Sequence, residues 1–144
     1  MSNPSNRGFA ASTYLEQDIR TADPVTLIAH VYDLAQSHVA RARAALAAKQ
    51  MAAKGRAVKR ASRCLSLLQT SLDLERGGDV AGNLDRVYAY LLRRLGEGHR
   101  RNDDAAFAEI AAHLAELGSA WREAASRRRM EAPYAATAPS ASAR

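Results

Sequence analysis

The sequence predicts an all-α protein: an antiparallel four-helix bundle with a mobile N-terminal arm or short helix and a disordered C-terminal tail. Alanine, leucine and arginine dominate the 144 residues, and aromatic residues make up only 6% of them, a composition typical of helical proteins. Four segments carry apolar residues at helical spacing, and proline, glycine, asparagine or aspartate residues separate these segments. We therefore expect an arm at residues 1–22, a bundle domain at residues 23–129 and a tail at residues 130–144.

The first predicted helix begins at Asp23-Pro24. An aspartate at the N-cap accepts hydrogen bonds from the N–H groups of the first turn, and proline, which has no N–H group, suits the next position. The end of this helix is poorly marked, and we place the turn that follows it between Lys49 and Gly55. The predicted apolar face contains Leu27, Ile28, Val31, Leu34, Ala35, His38, Ala42, Ala45 and Leu46.

The second predicted helix ends at Gly77-Gly78, because a glycine adopts the left-handed conformation of a helix C-cap at little cost. Asp79 then opens the third helix, whose last turns should be loose because Gly96 and Gly98 each cost about 1 kcal/mol relative to alanine. The segment Asn102-Asp103-Asp104 ends the third helix and caps the fourth. The predicted apolar faces are Ala57, Ala61, Cys64, Leu65, Leu68 and Leu72; then Val80, Leu84, Val87, Tyr88, Leu91, Leu92 and Leu95; then Phe107, Ile110, Ala111, Leu114, Leu117 and Trp121.

The residue patterns favour a protein that performs no reaction and holds no cofactor or metal. A di-iron bundle needs two Glu-x-x-His pairs, whereas Glu109 and His113 are four positions apart and have no second copy. Cys64 lies on an apolar face, which indicates a small core residue. No strand precedes a glycine-rich loop, as phosphate binding would require. The N-terminus lacks the apolar stretch of a secretory signal, and no apolar run approaches the ~20 residues of a membrane span, so we expect a cytoplasmic protein without membrane insertion.

The formal net charge of +6 suggests an acidic partner. No acidic residue occurs from Leu34 to Leu72, and the segment from Lys54 to Arg63 is the most basic part of that region. Within it, Arg56, Lys59, Arg60 and Arg63 recur at helical spacing and form what we call the basic stripe. Two alternatives follow: a basic bundle that binds nucleic acid, or one that binds an acidic regulatory protein. The stripe contains no asparagine, glutamine or aromatic residue, which disfavours specific nucleic-acid binding.

A series of short motifs occurs along the chain in a specific order. They are Thr21-Ala22-Asp23-Pro24-Val25-Thr26-Leu27-Ile28, Val31-Tyr32-Asp33, Leu72-Asp73, Gly77-Gly78-Asp79-Val80-Ala81, Asn83-Leu84, Val87-Tyr88 with Tyr90, Arg93-Arg94-Leu95, Asn102-Asp103 and Trp121. From about Tyr14 to Trp121, without gaps, this order and spacing resembles the flagellin export chaperone family FliS. Departures from the family's pattern are Val31 for Leu, Leu34 for Gly, Ala89 for Asp, and glycines at positions 96 and 98 in place of larger helix formers.

The resemblance implies a cytoplasmic chaperone that binds the C-terminal segment of flagellin, which is disordered alone and becomes helical as it wraps the bundle. Such binding would prevent premature polymerisation and support delivery to the export gate of the flagellar type III apparatus. Other flagellar regulatory proteins are further expected partners. The physics agrees, because grooves between helices accept the apolar face of an amphipathic segment.

The resemblance also implies partner-binding residues, for flagellin or for the export gate. They are Tyr14, Ile19, Leu27, Ile28, Val31, Tyr32, Asp33, Leu72, Asp73, Gly78, Asn83, Leu84, Tyr88 and Tyr90. For those at core spacing, packing within the bundle is the competing interpretation. Tyr14 and Ile19 precede the bundle, in an arm that the resemblance places over part of a groove and in contact with the export gate.

Overall fold

The computed structural model describes residues 24–126, which form four helices: α1 (Pro24–Ala47), α2 (Met51–Thr70), α3 (Leu74–Arg101) and α4 (Asp104–Ser126). Connections of two or three residues join them, so consecutive helices run antiparallel. Each helix packs on the next and α4 closes the ring against α1, while the backbones of the helices on the two diagonals stay apart in the described part and only side chains meet between them. The predicted four-helix bundle is confirmed. The predicted arm and tail lie outside the described residues.

The core lies along the axis of the bundle, where all four helices contribute apolar side chains at helical spacing. Leu65, Leu95 and Phe107 are completely shielded from solvent, and burying such a side chain stabilises the fold by about 1.5–3 kcal/mol. Two members of the predicted apolar faces are exposed instead: Leu34, at the margin of its face, and Val80, in the first turn after a helix break. The other core residues are Ile28, Val31, Tyr32, Ala35, Val39, Ala42, Ala57, Val58, Ala61, Leu68, Tyr88, Leu91, Ile110, Leu114 and Trp121.

The connection between α1 and α2 is a Schellman motif. The N–H of Gln50 donates to the carbonyl of Ala45 at 2.8 Å, and the N–H of Lys49 donates to that of Leu46 at 3.0 Å. Lys49 has a φ of 60°, the left-handed conformation that glycine usually supplies at this position. The turn therefore lies at the start of the predicted interval, and Gly55 falls inside α2.

The prediction that the second helix ends at Gly77-Gly78 is wrong. Helix α2 already ends at Thr70, whose hydroxyl donates to the Ser66 carbonyl at 2.9 Å. The Asp73 carboxylate then accepts from the N–H of Arg76 at 3.0 Å and caps a new helical turn. Gly78 does adopt a positive φ of 54°, but it breaks α3 after this first turn and does not end α2. The capping carboxylate of Asp73 starts a new helical turn before the chain reaches the glycines, so the glycines do not mark the end of α2.

The connection between α3 and α4 is as predicted. Asn102 is left-handed, with φ 52° and ψ 47°, and the Asp103 carboxylate accepts from the N–H of Ala105 at 3.0 Å. Helix α3 continues through both of its late glycines to Arg101. The second of these, Gly98, is buried against α4, so its lack of a side chain allows the two helices to approach closely.

Three buried polar side chains form hydrogen bonds inside the bundle. The hydroxyls of Tyr32 and Tyr88 are 2.5 Å apart and join α1 to α3 across the core. Lys54, which the sequence placed in the most basic segment, is buried, and its Nζ donates to the carbonyl of His99 at 2.9 Å and to the side-chain oxygen of Asn102. Because the last carbonyls of a helix lack intrahelical donors and carry its negative dipole end, this ammonium group caps α3.

Candidate functional site

A surface groove between α3 and α4, about 620 Å³ in volume, is the candidate functional site. We call it the α3–α4 groove. It is lined by Asn83, Arg86, Val87, Tyr90, Leu91, Glu109, His113, Glu116 and Leu117. The lining residues that belong to α3 are three or four positions apart, so they form one continuous strip of its surface.

The floor of the α3–α4 groove is apolar and its rims are polar. Leu91 is fully buried beneath it, and Val87 and Leu117 are half-buried, so part of their surface faces the groove. On one rim the Arg86 guanidinium donates to the Asn83 side-chain oxygen. This arrangement suits an amphipathic helix, which needs apolar surface for one face and hydrogen-bonding groups at its edges.

Glu109 organises the other rim. Its carboxylate accepts a hydrogen bond from the Tyr90 hydroxyl at 2.5 Å and another from Nε of Arg94 at 2.7 Å. The His113 Nε2 is 3.8 Å from the same carboxylate, and the His113 ring stands edge-on to that of Tyr90, with ring centres 6.5 Å apart. The Arg93 guanidinium lies 5.8 Å from the centre of the Tyr90 ring. Tyr90 is therefore held in place, although 38% of it is exposed.

The hydrogen bonds of this network lower the pKa of its carboxyl group and raise that of its phenol. The hydrogen bonds from Tyr90 and Arg94 lower the pKa of Glu109, so the carboxylate stays ionised. The same hydrogen bond to Glu109 raises the pKa of Tyr90, so its hydroxyl remains a donor. The Glu109–His113 pair is thus part of a hydrogen-bonded rim, and no cluster of metal-binding side chains occurs in residues 24–126. None of the helices in that range combines the length and apolarity needed to span a bilayer.

The structure brings two of the predicted partner-binding residues, Asn83 and Tyr90, into the α3–α4 groove. Two others are half-buried against the core: Leu27 on α1 and Leu84 on α3. A third group lies inside the core, where the packing interpretation applies: Ile28, Val31, Tyr32 and Tyr88.

The remaining predicted residues are spread over the bundle. Asp33 is exposed on α1 and accepts a hydrogen bond from Arg122 of α4. Leu72 and Asp73 lie in the connection between α2 and α3, and Gly78 lies at the break after the first turn of α3. Tyr14 and Ile19 fall outside the described residues. The roles of all these residues in partner binding stay predictions.

Sequence reasoning did not identify several residues that form the groove, among them Glu109, His113 and Glu116. Val87 and Leu117 were recognised as members of apolar faces, and Val87 also as part of a family motif, but neither was predicted to bind a partner. The sequence does contain one signal for these residues, the four-position spacing of Glu109 and His113, but this spacing was considered only as a possible pair of metal ligands. The hydrogen bonds that join Glu109 to Tyr90 and Arg94 depend on the register of α4 against α3, which helical spacing alone does not specify.

Comparisons with known proteins assign this bundle to a family. Residues 6–128 match the family described as flagellar protein FliS. The chain is 36% identical over 107 residues to the flagellar secretion chaperone FliSB of Pseudomonas aeruginosa, a match that covers 74% of this chain and 85% of that protein. It is 35% identical over 114 residues to the flagellar secretion chaperone FliS of Salmonella typhimurium, covering 78% of this chain and 84% of that protein. The chain therefore belongs to the FliS family.

Proposed function

We propose that this chain is a flagellar secretion chaperone that acts in the cytoplasm and holds the C-terminal segment of flagellin. Binding prevents premature polymerisation of flagellin and supports its delivery to the flagellar type III export apparatus. The observation that carries the proposal is the family match over residues 6–128, together with relatives that are named flagellar secretion chaperones. The chain needs no reaction of its own for this task, because the partner is released by handover.

The α3–α4 groove is the proposed seat for part of the flagellin segment. The strip that lines it on α3, through Asn83, Val87 and Tyr90, continues one turn earlier to Val80, which is 52% exposed. An apolar residue left in solvent beside an apolar groove is typical of a binding surface. A segment that folds as it binds loses conformational entropy, so it must cover more surface than the groove alone provides. Leu74, 56% exposed, extends the available surface toward the start of α3.

The proposed contact with the export gate rests on the arm that contains Tyr14 and Ile19. The resemblance assigns this arm to both the groove and the gate. Other flagellar regulatory proteins remain proposed partners of the same chain.

The test is to mix the purified chain with flagellin from its own organism and to analyse the mixture by size-exclusion chromatography with light scattering. We expect a one-to-one complex that disappears when the C-terminal segment of flagellin is deleted. Absence of a complex with full-length flagellin would refute the proposal.

A pair of variants tests the place of binding. Tyr90→Ala removes an exposed aromatic residue from the α3–α4 groove, and Met51→Ala removes an apolar residue of similar exposure, 42%, from the start of α2. Because aromatic residues contribute disproportionately to interfaces, we expect Tyr90→Ala to weaken flagellin binding about tenfold or more and Met51→Ala to leave it unchanged. Thermal unfolding of each free variant checks that the bundle remains intact. If the two variants bind flagellin with equal affinity, the α3–α4 groove is not part of the interface.

A further inference from the structure

A second groove lies between α1 and α2. Because the four helices pack in a ring, this pair forms the edge of the bundle opposite to α3 and α4. The groove has a volume of about 470 Å³, and we call it the α1–α2 groove. The family assignment and the proposed flagellin site leave it without a role. It is lined by His38, Arg41, Ala44, Ala45, Ala48, Gln50, Ala53, Arg56, Ala57 and Arg60.

The floor of the α1–α2 groove consists of alanines. Ala45 and Ala57 are almost completely buried, while Ala44 and Ala48 are exposed. Small side chains at a helix contact allow the axis of another helix to approach closely. On α1 the lining runs from His38 to Ala48, which at a rise of about 1.5 Å per residue spans roughly 15 Å, or about three turns of an α-helix.

The walls of the groove are basic and lack counter-charges. Arg41, Arg56 and Arg60 are exposed, and none forms an ion pair with another residue in the range 24–126. By contrast, Arg43, two positions after Arg41 on α1, forms an ion pair with Asp104 of α4 at 2.9 Å. No acidic side chain lines the groove. The positive charge on this edge is therefore available to a partner.

One further feature indicates positive potential inside the groove. The pKa of His38 is lowered by burial and by Arg41 and Arg60, so both arginines act on the same small region. At the other end of the groove the start of α2 lies beside the end of α1, so opposite ends of two helix dipoles meet there and offset each other.

We propose that the α1–α2 groove binds an acidic amphipathic helix of a partner protein. The small apolar residues of that helix pack on the alanine floor, and its glutamate or aspartate side chains pair with Arg41, Arg56 and Arg60. Complementary charge is the argument for this occupant, because a region without acidic residues repels a second basic surface and attracts an acidic one. A nucleic-acid backbone would satisfy the arginines but would cover the alanine floor with charged phosphates, so an apolar face fits better.

The proposed site is distinct from the α3–α4 groove, because the two grooves lie on opposite edges of the bundle. The experiment therefore uses the full chain alone, without flagellin. The probe is a synthetic helical peptide of about 15 residues, with alanine and leucine on one face and glutamate along both margins. In a control peptide, glutamine replaces every glutamate. Binding is measured by isothermal titration calorimetry at low and at physiological salt.

The chain offers a matched pair of variants. Arg56→Glu/Arg60→Glu reverses two charges that line the groove, and Lys59→Glu/Arg63→Glu reverses two exposed charges on the same helix, at the same spacing, that do not line it. We expect the first pair to weaken binding of the glutamate peptide roughly tenfold more than the second pair. We also expect the glutamine peptide to bind at least tenfold more weakly than the glutamate peptide.

Four results of the binding measurements would overturn the proposal. They are no binding of the glutamate peptide, equal affinities for the two peptides, equal losses for the two double variants, and tighter binding of a 16-base-pair DNA duplex that depends on the same groove arginines. Self-association of the chain that the groove variants abolish would show a second copy as the occupant, and would also contradict it. Circular dichroism of each variant confirms that the helices are intact.

Discussion

Replacing Gly98 with alanine tests whether α3 and α4 touch as closely as the structure shows. A Cβ at position 98 would lie 3.0 Å from the Cβ of Ala106 and 3.0 Å from Cε1 of Phe107. Phe107 is completely buried, and because protein interiors are close-packed it has little room to move. Overpacking of this kind costs about 1–3 kcal/mol, whereas the helix itself gains about 1 kcal/mol when alanine replaces glycine. The expected net effect is a loss of about 0–2 kcal/mol in the free energy of unfolding.

Gly96 supplies the control, because it belongs to the same helix and experiences the same gain in helix propensity. A Cβ there would meet only the end of the Arg100 side chain, at 3.7 Å. Gly96→Ala should therefore stabilise the chain by up to about 1 kcal/mol. The difference between the two variants isolates the packing cost, about 1–3 kcal/mol.

The measurement is urea unfolding followed by circular dichroism, with the fluorescence of Trp121 as a second probe of the same transition. Coincident curves justify a two-state analysis. If Gly98→Ala proves as stable as Gly96→Ala, or more so, the close approach of the two helices does not exist in solution and the reasoning fails.

Three further predictions concern buried and half-buried polar groups of the bundle. Lys54→Met should destabilise the chain by about 1–3 kcal/mol in urea unfolding, because it leaves the His99 carbonyl at the end of α3 without its donor; an unchanged midpoint would contradict that role. Replacing Tyr32 and Tyr88 with phenylalanine, singly and together, should give a coupling energy of about 0.5–1.5 kcal/mol in a double-mutant cycle, whereas strict additivity would show that the two hydroxyls do not interact. Burial lowers the pKa of both His38 and His99, so the unfolded chain binds protons first and stability should fall as the pH drops below about 6.5; His38→Gln should reduce that slope, and an unchanged slope would exclude His38 as a source.

The helices could be predicted from the sequence because their signals are local. Pro24 begins α1, and Asn102 and Asp103 separate α3 from α4, since a left-handed asparagine and a capping aspartate act on their own neighbours. The end of α2 was misplaced because two local signals competed, and the cap at Asp73 acted before the glycines.

The candidate site was less predictable, because it depends on which helices meet and in what register. Lys54 shows the difficulty. In the sequence it is one of a series of basic residues, and only its position opposite the end of α3 makes it a buried capping group. In the same way, the partners of Glu109 follow from the packing of α4 on α3 and not from any motif.

Gly78 has a consequence that concerns chirality. Its φ of 54° and ψ of −134° are, with both signs reversed, close to the polyproline II conformation that ordinary L-residues favour. Apart from Gly78 and the neighbouring backbone, no atom lies within 4 Å of the place where a Cβ would stand, so the constraint at this position comes from the backbone alone. An L-alanine there should cost about 1–3 kcal/mol, while a D-alanine introduced by chemical ligation should fit without strain and stiffen the unfolded chain. The start of α3 is thus a place where the mirror-image amino acid suits the fold better than any L-amino acid with a side chain.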